Sequence, residues 1–337
     1  MGTITIGNRS FETPVLVPSV SSFETQLKPR DALLLQYTLQ EPISLVSAYD
    51  VSLDRDQLIP LCRTFRDQGV LLLDSGGYES SRISRYTQDD KQERWNFQKF
   101  AEIASEDTYD FIFSYDYFLE EGEPAAAYRD RLLDKFRSHA DILEITKLIP
   151  VVHLQTLDGK HPLTDDEIAD IFGSIAAGIE SQFVAVPERE LGIGLPDRAR
   201  LTKRIAFAMR QRASECRLHI LGCGNLLSFS ALAVAGAMMC DGLEWCRTLA
   251  AHDFHLHHFQ HKDLFVDPEY YKGKPAAEFM IEGTTLNYPT SVAVRNLLSF
   301  QAFTETLHAR LKQHTVHDFI REYFGQMAGD AIRALEA

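Results

Sequence analysis

In this 337-residue chain the side chains best placed to do chemistry are acids that close short apolar runs. Ala237-Met238-Met239-Cys240 leads into Asp241, and Gly242 frees the backbone just behind it. Val70–Leu73 leads into Asp74-Ser75-Gly76-Gly77-Tyr78, and Asp110–Phe113 leads through Ser114-Tyr115 to Asp116. An acid at the end of a buried strand is costly unless it is paired or used, so such positions point to a site. The plain alternative is an Asp that caps a turn, and Asp-Ser-Gly-Gly makes a good one. Recurrence argues for use: Asp50, Asp74, Asp116, His153, Gly222 and Asp241 all follow strand-like runs. Carboxylates brought together in pairs divide nucleophilic attack and proton transfer between them.

The elements that must position these residues alternate along the chain. Ile43–Ala48, Val70–Asp74, Asp110–Asp116, Leu148–Leu154, Phe183–Val186, Arg217–Leu221 and Ala237–Cys240 read as strands. Arg55–Gln68, Asp89–Ser105, Pro124–Leu143, Asp165–Ile179, Asp197–Ala213 and Leu226–Val234 read as helices. Apolar strands alternating with amphipathic helices predict a parallel sheet covered on both faces. About seven such units fit an α/β (β/α)8 TIM barrel, a single domain over residues 1–337, better than an open sheet. In a barrel the strand-end residues gather on one rim; in an open sheet they spread along an edge.

Residues 1–22 are expected to form a small N-terminal antiparallel β unit, turning at Gly7-Asn8 with Pro14 and Pro18 at its edges. The irregular stretch 252–289 reads as an insert on the rim, and 290–337 as closing helices, Thr290–Lys312 and Thr315–Gly329.

Composition sets limits on function. A formal net charge of −14 argues against gripping nucleic acid through the whole surface, though not against a local basic groove or a partner that supplies the grip. No apolar run is long enough to span a membrane, and no signal-peptide pattern opens the chain. Cysteines at 62, 216, 223, 240 and 246 lack a disulfide-framework spacing and read as reduced thiols, which predicts a cytoplasmic protein. No G-x-G-x-x-G follows the first strand and no P-loop occurs, so a nucleotide cofactor is not expected.

Several separated segments, in order, resemble the tRNA-guanine transglycosylase superfamily. Thr13-Pro14-Val15-Leu16-Val17-Pro18 is similar to its TPVFMPV entry, and Asp74-Ser75-Gly76-Gly77-Tyr78 to its DSGGF/Y motif. Phe113-Ser114-Tyr115-Asp116 is similar to the segment that ends the family's third strand with a base-reading Asp. Leu221-Gly222-Cys223-Gly224 resembles MGVG, and Gly236–Arg247 matches without gaps the segment holding the nucleophilic Asp and a downstream Arg. Two departures stand out. The family's zinc module is missing, since no Cys follows Cys246, and Pro187-Glu188-Arg189 replaces the Gly-Gly-Leu after the fifth strand. The GLEWCR…HHFQH character is closer to the DNA-modifying branch, the DpdA-like DNA-guanine transglycosylases.

The resemblance implies a pentosyltransferase that exchanges guanine in nucleic acid, with DNA favoured over tRNA, for a 7-deazaguanine such as preQ0. It assigns Asp241 as nucleophile on the sugar and Asp74 as general acid/base, an assignment consistent with two strand-end acids beside glycines. A guanine-like base needs flat apolar faces, for which Tyr78 and Leu221 are candidates, and an acceptor for its N1–H and 2-amino donors, for which Asp116 is the candidate. His153 or Gln155 would read the carbonyl or 7-substituent, and the sequence does not choose between them. Ser75 and Gly76 would present backbone amides at the pocket rim, with Gly222 beside them. Arg247 would pair with phosphate or with Glu244. No cofactor or metal is expected. The alternative is zinc on Cys246 with His255, His257, His258 and His261, which lack an established ligand spacing. Further partners expected are an ATPase or a second copy of the chain; a non-catalytic base-binding subunit and a base-releasing hydrolase are the competing functions.

Overall fold

A computed structural model describes residues 2–23, 25–77, 95–139, 147–265 and 286–336. An eight-stranded sheet forms the centre: β3 (Val15–Val20), β4 (Ile43–Ser47), β5 (Val70–Asp74), β6 (Phe111–Phe113), β7 (Leu148–Ile149), β8 (Phe183–Pro187), β9 (Arg217–Leu221) and β10 (Met239–Gly242). All neighbouring pairs are parallel and the strands follow one another in chain order, with β10 returning to pair with β3. The ring closes just past β7, where Val152 N–H donates to Ala185 O at 2.9 Å and Ala185 N–H to Pro150 O at 2.8 Å. This is a TIM-barrel-like α/β fold, with helices between successive strands and a helical C-terminal end.

The N-terminal unit differs from its expectation. Only β1 (Thr3–Ile6) and β2 (Arg9–Glu12) form an antiparallel hairpin, turning at Gly7 with a φ of 60°. Val15–Val20 is instead the first barrel strand. Pro18 is tolerated there because its register partner is Gly242 of β10, and pairing with β4 starts only at Ser19. The strand count shifts by one: Asp116 follows the fourth barrel strand and Pro187 ends the sixth.

Side chains alternate between two cores. Inward-facing Val17, Leu45, Leu72, Phe113, Val151 and Ala185 fill the barrel, and Ile4 and Ile6 of the hairpin join them from one end. The larger core lies between strands and helices, the arrangement expected when each strand is apolar on both faces. The last barrel helix, Tyr288–Lys312, ties the rim together: Asn296 Nδ2 donates to Trp245 O at 2.9 Å and Asn296 Oδ1 accepts from Ala250 N–H at 2.8 Å. The final helical stretch is two helices, Val316–Phe324 and Gln326–Glu336, broken at Gly325 where φ is 91°.

At the start of the expected insert, Leu256–His258 pairs back on Thr248–Ala250, which precedes it, as a short antiparallel ribbon, and Lys262–Phe265 is helical. Residues 266–285 lie outside the described residues, as do 78–94, which include Tyr78 and the start of the expected helix at 89. No described helix is long and apolar enough to cross a membrane.

Candidate active site

The strand-end residues converge on one cavity of about 240 Å³ at the carboxyl rim of the barrel. Asp74, Ser75, Asp116, His153, Leu221, Gly222, Asp241 and Arg247 all line it. Gln155 and Gly76 do not, and Tyr78 lies outside the described residues. Of the two candidates after β7 only His153 lines the cavity, and both its ring nitrogens are taken up by Asp116 and Glu190, which corrects the expectation that it would read the carbonyl or 7-substituent. Asp50 also stays apart: it sits in the helix Ala48–Leu53, where its Oδ2 accepts from Ser22 N–H at 2.7 Å.

Asp241 is 6% exposed and held from both neighbouring strands. Ser19 Oγ on β3 donates to its Oδ2 at 2.7 Å, and His219 Nε2 on β9 donates to its Oδ1 at 2.9 Å. Gly222 N–H adds a longer contact to Oδ1 at 3.3 Å. His219 is fully buried with its ring edge-on to Phe113, and its Nδ1 has no hydrogen-bond partner. The Nε2–H tautomer fits both facts, since a bare lone pair costs less to bury than an unmatched N–H. This carboxylate can neither rotate nor retreat, which suits a group that must meet one reacting atom.

Asp74 closes β5, and its Oδ2 accepts the Gly76 N–H at 3.0 Å. That bond corrects the expectation for Gly76, whose amide is spent on Asp74 instead of being offered to a ligand. Its φ of 73° and close backing on Tyr49 make it the pivot of the turn. The side chain of Ser75 joins the site: Oγ donates to Asp116 Oδ2 at 3.1 Å and accepts from Gly77 N–H at 3.1 Å. Gly77 packs so closely on Asp116 that a Cβ there would overlap Oδ2.

Asp116 continues into a buried chain of charge. Its Oδ1 lies 3.1 Å from His153 Nε2, and His153 Nδ1 lies 2.9 Å from Glu190 Oε1. Glu190 is 2% exposed, and its other oxygen accepts from Leu154 N–H at 2.7 Å. Burial alone would push the His153 pKa down, but the two carboxylates outweigh it and raise the value to about 9. The Phe118 ring lies over His153 with centroids 4.1 Å apart and lines the cavity, an apolar face the sequence reading missed.

No protein-family model and no curated protein matches this chain.

At the outer lip, Arg189, Glu188, Glu244 and Arg247 line the cavity. Burial raises the Glu244 pKa, and the Arg247 charge opposes that rise.

The proposed zinc ligands do not come together. Cys246 is buried with Sγ 3.3 Å from Leu243 O, and burial pushes its thiol pKa far up. His255 Nε2 contacts Tyr323 O at 2.6 Å, His257 stacks on Phe265, and the rings of His258 and His261 lie 5.4 Å apart. Among the described residues no three His, Cys, Asp or Glu side chains gather as a metal site.

Ser19, His219, Glu190 and Phe118 are site residues that the sequence reading did not single out. A polar residue inside an apolar strand, as in Arg217-Leu218-His219-Ile220-Leu221, was the one available signal for His219. Ser19 was hidden by reading β3 as part of the hairpin unit. Glu190 reaches His153 across 37 residues of sequence, which no local pattern reveals.

Proposed function

We propose that this chain exchanges guanine in nucleic acid, DNA in preference to tRNA, for a 7-deazaguanine base such as preQ0. The observation that carries the proposal is the placement of Asp241 and Asp74 on one cavity whose far wall is the Ser75–Asp116–His153 array. A strand-end acid pair provides an attacking group and a proton carrier, and Asp116 provides an acceptor for adjacent N–H donors.

In the proposed reaction an Asp241 oxygen attacks the sugar C1′ as the bond from C1′ to guanine breaks, and the electron pair leaves with the base. Asp74 in its acid form gives that base its proton. The incoming deazaguanine then loses its N9 proton to the Asp74 carboxylate and attacks C1′, which releases Asp241. One base replaces another with no net oxidation and no nucleotide consumed. Ser19 and His219 fix the attacking carboxylate, while Arg189 and Arg247 meet phosphate at the lip. An overall charge of −14 implies a helper for the polymer, a partner ATPase or a second copy of the chain.

The test is Asp241→Asn in purified protein supplied with guanine-containing DNA or tRNA and labelled preQ0. Wild-type protein is expected to incorporate label and to form a denaturation-resistant adduct with the polymer. The variant should do neither while keeping its melting temperature within a few degrees. Label entering tRNA but not DNA would select the tRNA reading. Incorporation by the variant at a wild-type rate would remove Asp241 from the mechanism.

A further inference from the structure

We infer that Glu190 is a positioning residue for base selection: by holding the far nitrogen of His153 it keeps that ring doubly protonated, so that Asp116 meets the cavity as an ionised, acceptor-only group. The inference rests on the base-exchange reading and adds a residue that no motif of the sequence indicated.

A neutral imidazole has one N–H and one lone pair, yet both ring nitrogens of His153 face carboxylate oxygens, at 2.9 and 3.1 Å. Two nitrogen–oxygen contacts therefore need two protons. The outer oxygens of both carboxylates take donors of their own. Glu190 Oε2 accepts Leu154 N–H at 2.7 Å, so it is not the protonated oxygen of an acid. Asp116 Oδ2 accepts from Ser75 Oγ, whose own lone pair takes the Gly77 N–H, so the hydroxyl proton must point at Asp116. Imidazole is a stronger base than either carboxylate, and the donors on both outer oxygens favour the charged acids, so the two protons are assigned to the ring. Tyr128 Oη donates to the His153 carbonyl at 2.9 Å and completes the cage.

The other charged groups on the cavity are Asp74, Asp241, Glu188, Glu244, Arg189 and Arg247. Among the described residues, Asp116 and Glu190 are those that bond to the ring. Each Asp116 oxygen keeps a lone pair beyond its internal bond, and a base with two adjacent N–H donors can use that pair. Adenine, whose corresponding edge carries a ring acceptor, cannot. The 3-10 turn Glu188–Glu190 that delivers this carboxylate is pinned by the Glu188–Arg198 ion pair at 2.8 Å.

The experiment is ¹⁵N NMR of histidine-labelled full-length protein, with His153→Gln to assign the signal, together with calorimetric titration of preQ0 and adenine. Wild-type His153 should show two protonated nitrogens at pH 8. In Glu190→Gln an amide can satisfy Leu154 and donate to Nδ1, so the ring should be neutral at that pH. This variant should bind preQ0 about tenfold more weakly, with adenine changed less than twofold. A neutral ring in wild type, an imidazolium that persists in Glu190→Gln, or unchanged preQ0 affinity in that variant would each overturn the inference. Absence of preQ0 binding in wild type despite the imidazolium signature would refute base exchange, and the selection role with it. The wild-type spectrum decides the protonation state even if the variant fails to fold.

Discussion

Glu41 offers a test of the fold's electrostatics that is independent of the proposed chemistry. It sits just before β4, is 4% exposed, and lines an apolar cavity of about 390 Å³ between β3 and the helix Tyr288–Lys312. Its Oε1 accepts from Gln301 Nε2 at 2.8 Å. Burial raises its pKa to about 8, and the Gln301 bond offsets only part of that rise. The folded protein therefore holds Glu41 as a neutral acid, whereas the unfolded chain ionises it near the usual 4.5. Stability from this group is fully present below 4.5, declines as pH rises toward 8, and is level above. At about 1.36 kcal/mol per pH unit the whole window is worth roughly 4–5 kcal/mol. Glu41→Gln keeps the shape and the Gln301 bond but cannot ionise. The variant should match wild type near pH 5 and exceed it at pH 8.5 by several kcal/mol, roughly 5–10 °C in melting temperature for a chain of this size. Calorimetric scans of both proteins at half-unit steps from pH 5 to 9 measure the gap. A gap that stays constant across that range, or a variant less stable at pH 8.5, would refute the buried neutral acid.

Two further outcomes are expected. Gly77→Ala must displace Asp116, so preQ0 binding should weaken as in Asp116→Ala, by about 2–5 kcal/mol, with adenine unaffected and the melting temperature nearly unchanged; equal loss for both bases would show that Asp116 supports the fold instead of reading the base. Because Cys246 is buried, His255 bonds Tyr323 O and His257 stacks on Phe265, protein purified without a His-tag should melt at the same temperature with and without a chelator; near-stoichiometric zinc with a chelator-dependent melting temperature would reverse that expectation.

Periodicity and strand-end chemistry were legible in the sequence because they are local. Val70–Asp74, Arg217–Leu221, Arg55–Gln68 and Leu226–Val234 lie where the apolar pattern places them, since a run of that length and period has one way to bury itself. The gathering of Asp74, Asp116 and Asp241 on one rim also followed once parallel strands were assumed. What the tertiary structure alone decided depends on which strands become neighbours. Val15–Val20 has the pattern of either a hairpin strand or a barrel strand, and only pairing with β10 and β4 makes it the latter. The same pairing brings Ser19 to Asp241 across 222 residues and leaves His219 on the other side. The choice between His153 and Gln155 depended on side-chain direction at the end of a strand, which a one-residue change of register reverses. Glu190 and Gly77 matter through contacts of about 3 Å or less between distant segments. Spacing along a chain sets which residues can share a face; only closure of the barrel sets which of them touch.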